Sequence, residues 1–287
     1  MIDLFNYERR KSSVTHVGAL DMGGDNPVRI QSMTTTDTNA TEASVAQAKR
    51  IIAAGGELVR LTTQGKREAE NLKHINAQLR SEGITTPLCA DVHFNANVAD
   101  VAALYAEKVR INPGNYVDPG RTFKILEYTD EEYAKELKKI EERLTPFINI
   151  CKENHTAVRI GVNHGSLSDR IMSHYGDTPE GIVESCMEFL RIFKKYDFND
   201  VVISIKASNT VVMVRSVRLL VAEMEKEGMN YPLHLGVTEA GEGEDGRIKS
   251  AVGIGALLND GIGDTIRVSL SEEPECEIPV AKYLARY

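Results

Sequence analysis

The sequence predicts an α/β fold, a single (β/α)8 TIM barrel that fills residues 1–287, and three observations support it. Short runs of β-branched residues alternate eight times with long amphipathic segments, as in a chain that builds a parallel barrel. No linker or low-complexity segment divides the chain, and its length suits one such barrel. A doubly wound sheet is the alternative fold, but a G-x-G-x-x-G fingerprint is absent after the first strand.

Strands are expected where β-branched runs are bounded by turn residues. These runs are Val28–Met33, Leu58–Thr62, Pro87–Asp91, Lys108–Asn112, Ala157–Val162, Val201–Lys206, Leu233–Val237 and Thr265–Val268. Helices are expected where apolar residues recur at helical spacing. These segments are Thr41–Ala54, Lys66–Glu82, Asn95–Tyr105, Asp130–Asn154, Pro179–Tyr196, Thr210–Glu227 and Gly246–Leu258, with a last helix at Ile278–Arg286.

Composition excludes several classes of function. The net charge of -8 argues against a nucleic-acid partner or an anionic membrane surface. The N-terminal stretch lacks the apolar core of a secretory signal, and no apolar run is long enough to span a membrane, so we expect a cytoplasmic protein. The four cysteines lie far apart without a C-x-x-C pair, which suits a reducing compartment and predicts no metal site within residues 1–287.

Charged residues inside predicted strands are the most informative feature of the sequence. In "KVRINPGN", Val109 and Ile111 share one face of a strand, whereas Arg110 and Asn112 share the other. The apolar pair should face the helices, so Arg110 and Asn112 should point into the barrel. The same alternation places polar groups near the carboxyl ends of the other strands, where barrel enzymes carry their active sites.

Counting these inward groups predicts an anion site. Five cations should converge against two carboxylates, Asp91 and Glu239, which leaves an excess of three positive charges if His93 is neutral. The cations are Arg60, Arg110, Arg159, Lys206 and Arg267. Buried charges need partners, and arginine forks match phosphate oxygens, so a bound polyanion is expected. The alternative is that each arginine pairs with an ordinary structural acid.

Three residues are candidates for proton transfer. Glu239 is the best acid–base candidate, because neighbouring cations should keep it ionised, although it could serve only as an ion-pair partner. His93 follows Asp91 by two places and should share its pocket, as a general acid, a donor to phosphate or a core histidine. The acidic loop "EAGEGEDG" after the seventh strand should repel phosphate, so side-chain cations are expected to hold the anion.

Several longer strings resemble one enzyme family, the 4-hydroxy-3-methylbut-2-enyl diphosphate synthases. They are "IQSMTTTDT", "ADVHFN", "KVRINPGN", "RIGVNHGSLSDRIMSHYGDTPEG", "SIKASN", "HLGVTEAGEGEDGRIKSAVGIG" and "GIGDTIRVSL". The resemblance runs from about Val28 to the end, and "NHGSLSDRIM" and "GEGEDGRIKS" are most similar to the longer, three-domain branch.

This resemblance implies a substrate, 2-C-methyl-D-erythritol 2,4-cyclodiphosphate, which the family opens and dehydroxylates reductively in the methylerythritol phosphate route to isoprenoids. It implies an anion-binding set with hydrogen-bonding partners, and Glu239 as the acid–base residue with Asp91 nearby. The anion-binding set is Arg60, Arg110, Arg159, Lys206, Arg267 and Ser269, and the partners are His93, Asn112 and Asn163. It also implies a flavodoxin- or ferredoxin-type electron donor, and a homodimer is an open expectation.

One departure from the family pattern matters. The family's reductant is a [4Fe-4S] cluster held by three cysteines and a glutamate in a C-terminal domain, and no such pattern occurs in residues 1–287. We therefore expect the barrel domain alone, without the inserted and C-terminal domains, able to bind substrate but inactive without the cluster. A self-sufficient transferase of the dihydropteroate synthase type, acting on a diphosphate substrate, is the alternative, and a pure anion-binding or assembly module is a third.

Overall fold

An eight-stranded parallel sheet is the central feature of the computed structural model, which describes residues 6–286. The strands are β1 (Thr15–Val17), β2 (Leu20–Met22), β3 (Arg29–Met33), β4 (Leu58–Thr63), β5 (Leu88–Val92), β6 (Lys108–Ile111), β7 (Ala157–Asn163), β8 (Val201–Lys206), β9 (His234–Leu235) and β10 (Thr265–Ile266). The last eight follow the order β8-β7-β6-β5-β4-β3-β10-β9, and a parallel bridge between Ile203 and Leu233 joins the two ends. The expected (β/α)8 barrel is confirmed.

Helices cover the outside of this barrel. They are α1 (Thr41–Ala54), α2 (Lys66–Ser81), α3 (Ala96–Ala102), α4 (Pro113–Tyr116), α5 (Asp130–Asn154), α6 (Asp169–Tyr175), α7 (Pro179–Lys195), α8 (Thr210–Lys226), α9 (Gly243–Asn259) and α10 (Glu277–Leu284). The sequence predicted all of them except α4 and α6. β9 and β10 keep two paired residues each and are shorter than predicted. No helix within residues 6–286 is long and apolar enough to cross a membrane.

A short hairpin that the sequence did not reveal closes one end of the barrel. Val17 of β1 and Met22 of β2 are fully buried. They pack with interior side chains from four barrel strands, Leu58, Cys89, Ala157 and Val202. The hydroxyl of Thr15 donates to the carbonyl of Val201 at 3.0 Å. Because apolar side chains fill this amino-terminal end, the open mouth lies at the carboxyl ends of the strands.

A buried ion cluster holds the long loop between α4 and α5. Arg170 donates to Asp118 Oδ2 at 3.0 Å and to Glu188 Oε2 at 2.7 Å, and all three side chains are almost completely buried. The adjacent carboxylate of Asp169 accepts a hydrogen bond from the backbone N–H of Thr122 at 2.9 Å. Arg170 and Asp169 of α6 thus hold the α4–α5 loop at two points, Asp118 and Thr122, on the mouth side of β6 and β7.

Candidate anion site at the barrel mouth

A small polar cavity of about 100 Å³ lies at the carboxyl ends of the strands. All five predicted cations line it, together with Asn163 and Ser269 of the predicted set. The full lining is Arg60, Arg110, Arg159, Asn163, Ser204, Lys206, Val237, Thr238, Arg267 and Ser269. These side chains come from β4, β6, β7, β8 and the segments that follow β9 and β10, so the closed barrel brings together residues distant in sequence.

Asp91 is the shared counter-ion of two of the cations. It is fully buried on β5, accepts hydrogen bonds from Arg60 Nη2 and from Arg110 Nη1 (3.1 Å), and lies 2.8 Å from His93 Nε2. Burial alone would raise the pKa of Asp91, but Arg60 and Arg110 outweigh it and hold that pKa well below its usual range. Arg110 also donates to the carbonyl of Gly161 at 2.8 Å. Asp91 is therefore an ionised counter-ion that orients Arg60, Arg110 and His93.

Arg267 has a counter-ion of its own that the sequence analysis missed. Its Nη2 donates to Glu277 Oε1 at 3.1 Å and its Nε to Glu277 Oε2 at 3.2 Å. Glu277 is buried at the start of α10 and also accepts from the hydroxyl of Ser32 at 2.7 Å. The only sequence signal for this contact was an acidic residue just before the apolar pattern of the last helix.

Arg159 and Lys206 have no counter-ion among residues 6–286. Arg159 is only 1% exposed, and its Nε and Nη1 atoms are buried without a hydrogen-bond partner in the described structure. Lys206 is 8% exposed, and it too forms no ion pair within that range. Burial, reinforced by Arg159 and Arg60, holds the pKa of Lys206 well below its usual value. Both side chains are therefore available to an anion from outside the described part of the chain.

A second layer of polar side chains, buried in the barrel below the mouth cations, was not predicted from the sequence. Lys108 of β6 is fully buried and donates to Gln31 Oε1 at 3.2 Å, and burial lowers its pKa to about 8. His234 of β9 is fully buried, and neither of its ring nitrogens has a partner within residues 6–286. Burial and Arg159 keep the pKa of His234 well below its usual value, so the ring is neutral. Strand alternation could have found Lys108, because it lies two places before Arg110.

Glu239 does not reach the cavity in this structure. It is exposed, its backbone has a φ of 54°, and its carbonyl accepts from Lys249 Nζ at 3.0 Å. The chain leaves the strand conformation after β9, so strand alternation no longer determines where this side chain points. The position predicted for Glu239, opposite the cations, is not observed, and its acid–base role stays a prediction.

Asn112 is engaged in local structure. Its side-chain oxygen accepts from the N–H of Gly114 at 3.1 Å as the N-cap of α4, and its Nδ2 donates to Ser166 Oγ at 2.9 Å. It does not line the cavity, unlike Asn163 and Ser269.

The charge balance shows what the site can bind. Adding Lys108 to the five predicted cations gives six against the two buried carboxylates Asp91 and Glu277, a formal excess of four. Guanidinium and ammonium donors in such a low-dielectric site suit the oxygens of phosphate or diphosphate. A [4Fe-4S] cluster does not fit, because the four cysteines lie apart and no group of three potential metal ligands occurs within residues 6–286.

Fold and site together define a (β/α)8 barrel domain with a cationic mouth suited to phosphorylated compounds. The family model described as the GcpE TIM-barrel domain matches residues 12–282. The chain belongs to this family.

Similar proteins share one name. The chain is 78% identical over 286 residues to the 4-hydroxy-3-methylbut-2-en-1-yl diphosphate synthase (flavodoxin) of Phocaeicola vulgatus, a match that covers 100% of this chain and 47% of the relative. It is 53% identical to the protein of the same name from Leptospira interrogans, over 98% of this chain and 42% of the relative. The chain thus spans about half the length of these relatives.

Solved structures with a similar fold include the dihydropteroate synthase of Xanthomonas albilineans in complex with indole-2-carboxylic acid and 6-chloroguanine. The TM-score is 0.57 at 13% identity, and the match covers 96% of this chain and 98% of that one. At this identity the likeness shows a shared fold alone.

Proposed function

We propose that this chain is the substrate-binding barrel of a 4-hydroxy-3-methylbut-2-enyl diphosphate synthase. In this proposal it binds 2-C-methyl-D-erythritol 2,4-cyclodiphosphate, which the complete enzyme opens and dehydroxylates reductively in isoprenoid biosynthesis. Family membership and the shared name of the relatives support the reaction class, an oxidoreductase. The cationic mouth supports the substrate class, because a cyclic diphosphate carries the charge that this mouth lacks.

The observation that carries the proposal is that Arg159 and Lys206 have no counter-ion within residues 6–286. A buried guanidinium with two unbonded nitrogens has a desolvation cost that nothing in residues 6–286 offsets. A bound diphosphate supplies acceptors for both side chains. Arg60, Arg110 and Arg267 are already oriented by carboxylates and present their remaining donors, and Ser269 and Asn163 add neutral hydrogen bonds.

Two residues near the mouth cavity, His93 and Glu239, are the candidates for proton transfer in this proposal. His93 is bonded to Asp91 and partly exposed, so it can donate to a phosphoryl oxygen or to a leaving oxygen above the cavity. Glu239 is accessible at the mouth end of β9, and a change in its loop would be needed to bring its carboxylate over a bound ligand. Asn112 has an indirect role: its side chain holds the start of α4 through Gly114 and the neighbouring segment through Ser166.

The electrons must come from outside these residues. Reduction at carbon with loss of a hydroxyl needs two electrons, and no side chain here supplies them. The proposal places the [4Fe-4S] cluster of the complete enzyme outside residues 1–287, with a flavodoxin- or ferredoxin-type donor, in the cytoplasm. It predicts that the isolated chain binds the cyclodiphosphate without converting it.

Calorimetric titration of the isolated chain tests this function. We expect saturable one-to-one binding of the cyclodiphosphate that is competed by inorganic pyrophosphate, and no binding of 6-hydroxymethyl-7,8-dihydropterin diphosphate at the same concentrations. Tighter binding of the pterin diphosphate would overturn the proposal in favour of a transferase. Product formation from the cyclodiphosphate by the iron-free chain would overturn the division between substrate binding and reduction.

A further inference from the structure

The amine of Lys206 faces the mouth cavity and is free of hydrogen bonds and ion pairs within residues 6–286. It stands at the carboxyl end of β8, lines the mouth cavity and is 8% exposed. Its Nζ and Cε pack against Gly236, where an added Cβ would lie 3.0 Å from each atom. A bulkier residue at position 236 would therefore displace the amine. The end of the side chain is thus closely packed against the backbone at this position.

The groups around this amine are cationic or neutral. Arg60, Arg110, Arg159 and Arg267 line the same cavity from β4, β6, β7 and the segment after β10. His234 on the neighbouring β9 is neutral. Of the two carboxylates close by, Asp91 is bonded to Arg60, Arg110 and His93, and Glu277 is bonded to Arg267.

These surroundings favour a neutral amine. Burial is the largest cause of the lowered pKa of Lys206, followed by Arg159 and Arg60. A lysine that is desolvated beside other cations is the kind of amine that attacks carbonyl carbons. The phosphate-binding groups lie directly beside it, so a substrate with a phosphate and a carbonyl would meet both.

We propose that Lys206 forms an imine with small phosphorylated aldehydes, whose phosphate is held by Arg159 and Arg267. This inference rests on the anion site of the proposed function but concerns a different ligand and a covalent step. The amine and the arginines line one cavity, so a ligand that engages both carries its aldehyde close to its phosphate.

The step balances without any added oxidant or reductant. The Nζ lone pair attacks the aldehyde carbon and forms a C–N bond, while the carbonyl electron pair moves to oxygen, which takes up a proton. Nitrogen then loses its protons as the hydroxyl leaves as water, and a C=N bond remains. The hydroxyl of Thr238 lines the cavity and has no partner in the described structure, so it can relay the proton.

Reductive trapping tests the inference on the whole 287-residue chain. The chain is incubated at pH 7 with glycolaldehyde phosphate and sodium cyanoborohydride, which supplies the hydride that converts an imine to a stable secondary amine. Peptide mass spectrometry then measures labelling at each lysine. We expect Lys206 to be labelled about tenfold faster or more than the solvated Lys138, because each unit of lowered pKa raises the neutral fraction about tenfold.

Controls separate this chemistry from general amine reactivity. Pyrophosphate should block labelling of Lys206 but not of Lys138. Glycolaldehyde without phosphate should show a smaller preference for Lys206, because it lacks the group that the arginines bind. Lys206→Arg keeps a long nitrogen-bearing side chain but cannot form an imine and should abolish the site-specific label, whereas Lys138→Arg should leave it unchanged.

Two results overturn the inference. One is labelling of Lys206 no faster than that of Lys138 in a chain that binds pyrophosphate by calorimetry, a result that leaves the proposed anion site intact. The other is labelling of Lys206 that pyrophosphate does not slow, which would show that the phosphate site plays no part. A chain that binds neither pyrophosphate nor the cyclodiphosphate contradicts the proposed function itself.

Discussion

At the scale of single residues, the mouth cations differ in how they are paired, and this decides what each substitution should do. Arg60 and Arg110 share Asp91, and Arg267 is paired with Glu277. Arg159 has no carboxylate partner within residues 6–286. Removing a paired cation leaves a buried carboxylate behind, whereas removing an unpaired cation relieves a desolvation cost.

Arg159→Met and Arg110→Met should therefore have different effects. Both should weaken pyrophosphate binding about tenfold or more, because a hydrogen bond to a charged group contributes about 1.5–3 kcal/mol. Arg159→Met should leave the free energy of unfolding of the unliganded chain unchanged or higher. Arg110→Met should lower it by about 1.5–3 kcal/mol, because Asp91 loses one charged partner but keeps Arg60 and His93. Calorimetry and urea unfolding measure the two quantities. Equal losses of stability would contradict the assigned pairing.

Glu277 should act as a positioning residue for Arg267. Glu277→Gln keeps the shape but weakens two charge-assisted hydrogen bonds, so we expect pyrophosphate affinity to fall several-fold, with a loss of stability of about 1–3 kcal/mol. In an Arg267→Met background the same change should no longer affect affinity, because its target is gone. A double-mutant cycle in affinity measures this coupling, and additive effects would show that Glu277 has only a structural role.

At the scale of elements, the helices were predictable where they are long and amphipathic, and α1 and α5 have the predicted ends. The short α4 and α6 carry too few turns for a periodic pattern, and the β1–β2 hairpin is too short for an alternation signal. The five mouth cations were predictable from strand alternation. Glu277 was not, because only tertiary packing brings α10 to β10, and Glu239 lies in a turn that alternation does not describe.

The hairpin should be a stability element without influence on the mouth. Met22→Ala removes a fully buried side chain at the opposite end of the barrel and should cost about 2–5 kcal/mol of unfolding free energy. The half-buried Leu20 is the matched control, and Leu20→Ala should cost less. Pyrophosphate affinity should stay unchanged in both variants. Weaker anion binding in Met22→Ala would show that the two ends of the barrel are coupled.

At the scale of the whole molecule, a chain with a net charge of -8 encloses a positive interior. Lys108 has a folded pKa of about 8, and that of Lys206 is well below 10.5. Between pH 7 and about 8.5 the unfolded chain therefore binds more protons at these lysines than the folded chain does, so stability should rise with pH. Above this range the buried thiols Cys151 and Cys186, whose pKa values are raised, should oppose the trend.

Urea unfolding at pH 7.0 and 8.5 measures this effect. The slope should be about 1.4 kcal/mol per pH unit for each proton of difference, and saturating pyrophosphate should flatten it by favouring the charged amines. Lys108→Met should reduce the slope in the absence of anion. Stability that falls steadily over this interval without anion would contradict the assigned buried charges.

The most direct test of the central claim is a crystal structure of the chain with saturating 2-C-methyl-D-erythritol 2,4-cyclodiphosphate. We expect the diphosphate in the mouth cavity, with phosphoryl oxygens within hydrogen-bond distance of Arg159 Nε or Nη1 and of Lys206 Nζ. We also expect Asp91 and Glu277 to keep their arginine partners. A diphosphate bound elsewhere on the chain, or a mouth that holds only water while calorimetry shows saturation, would contradict this claim.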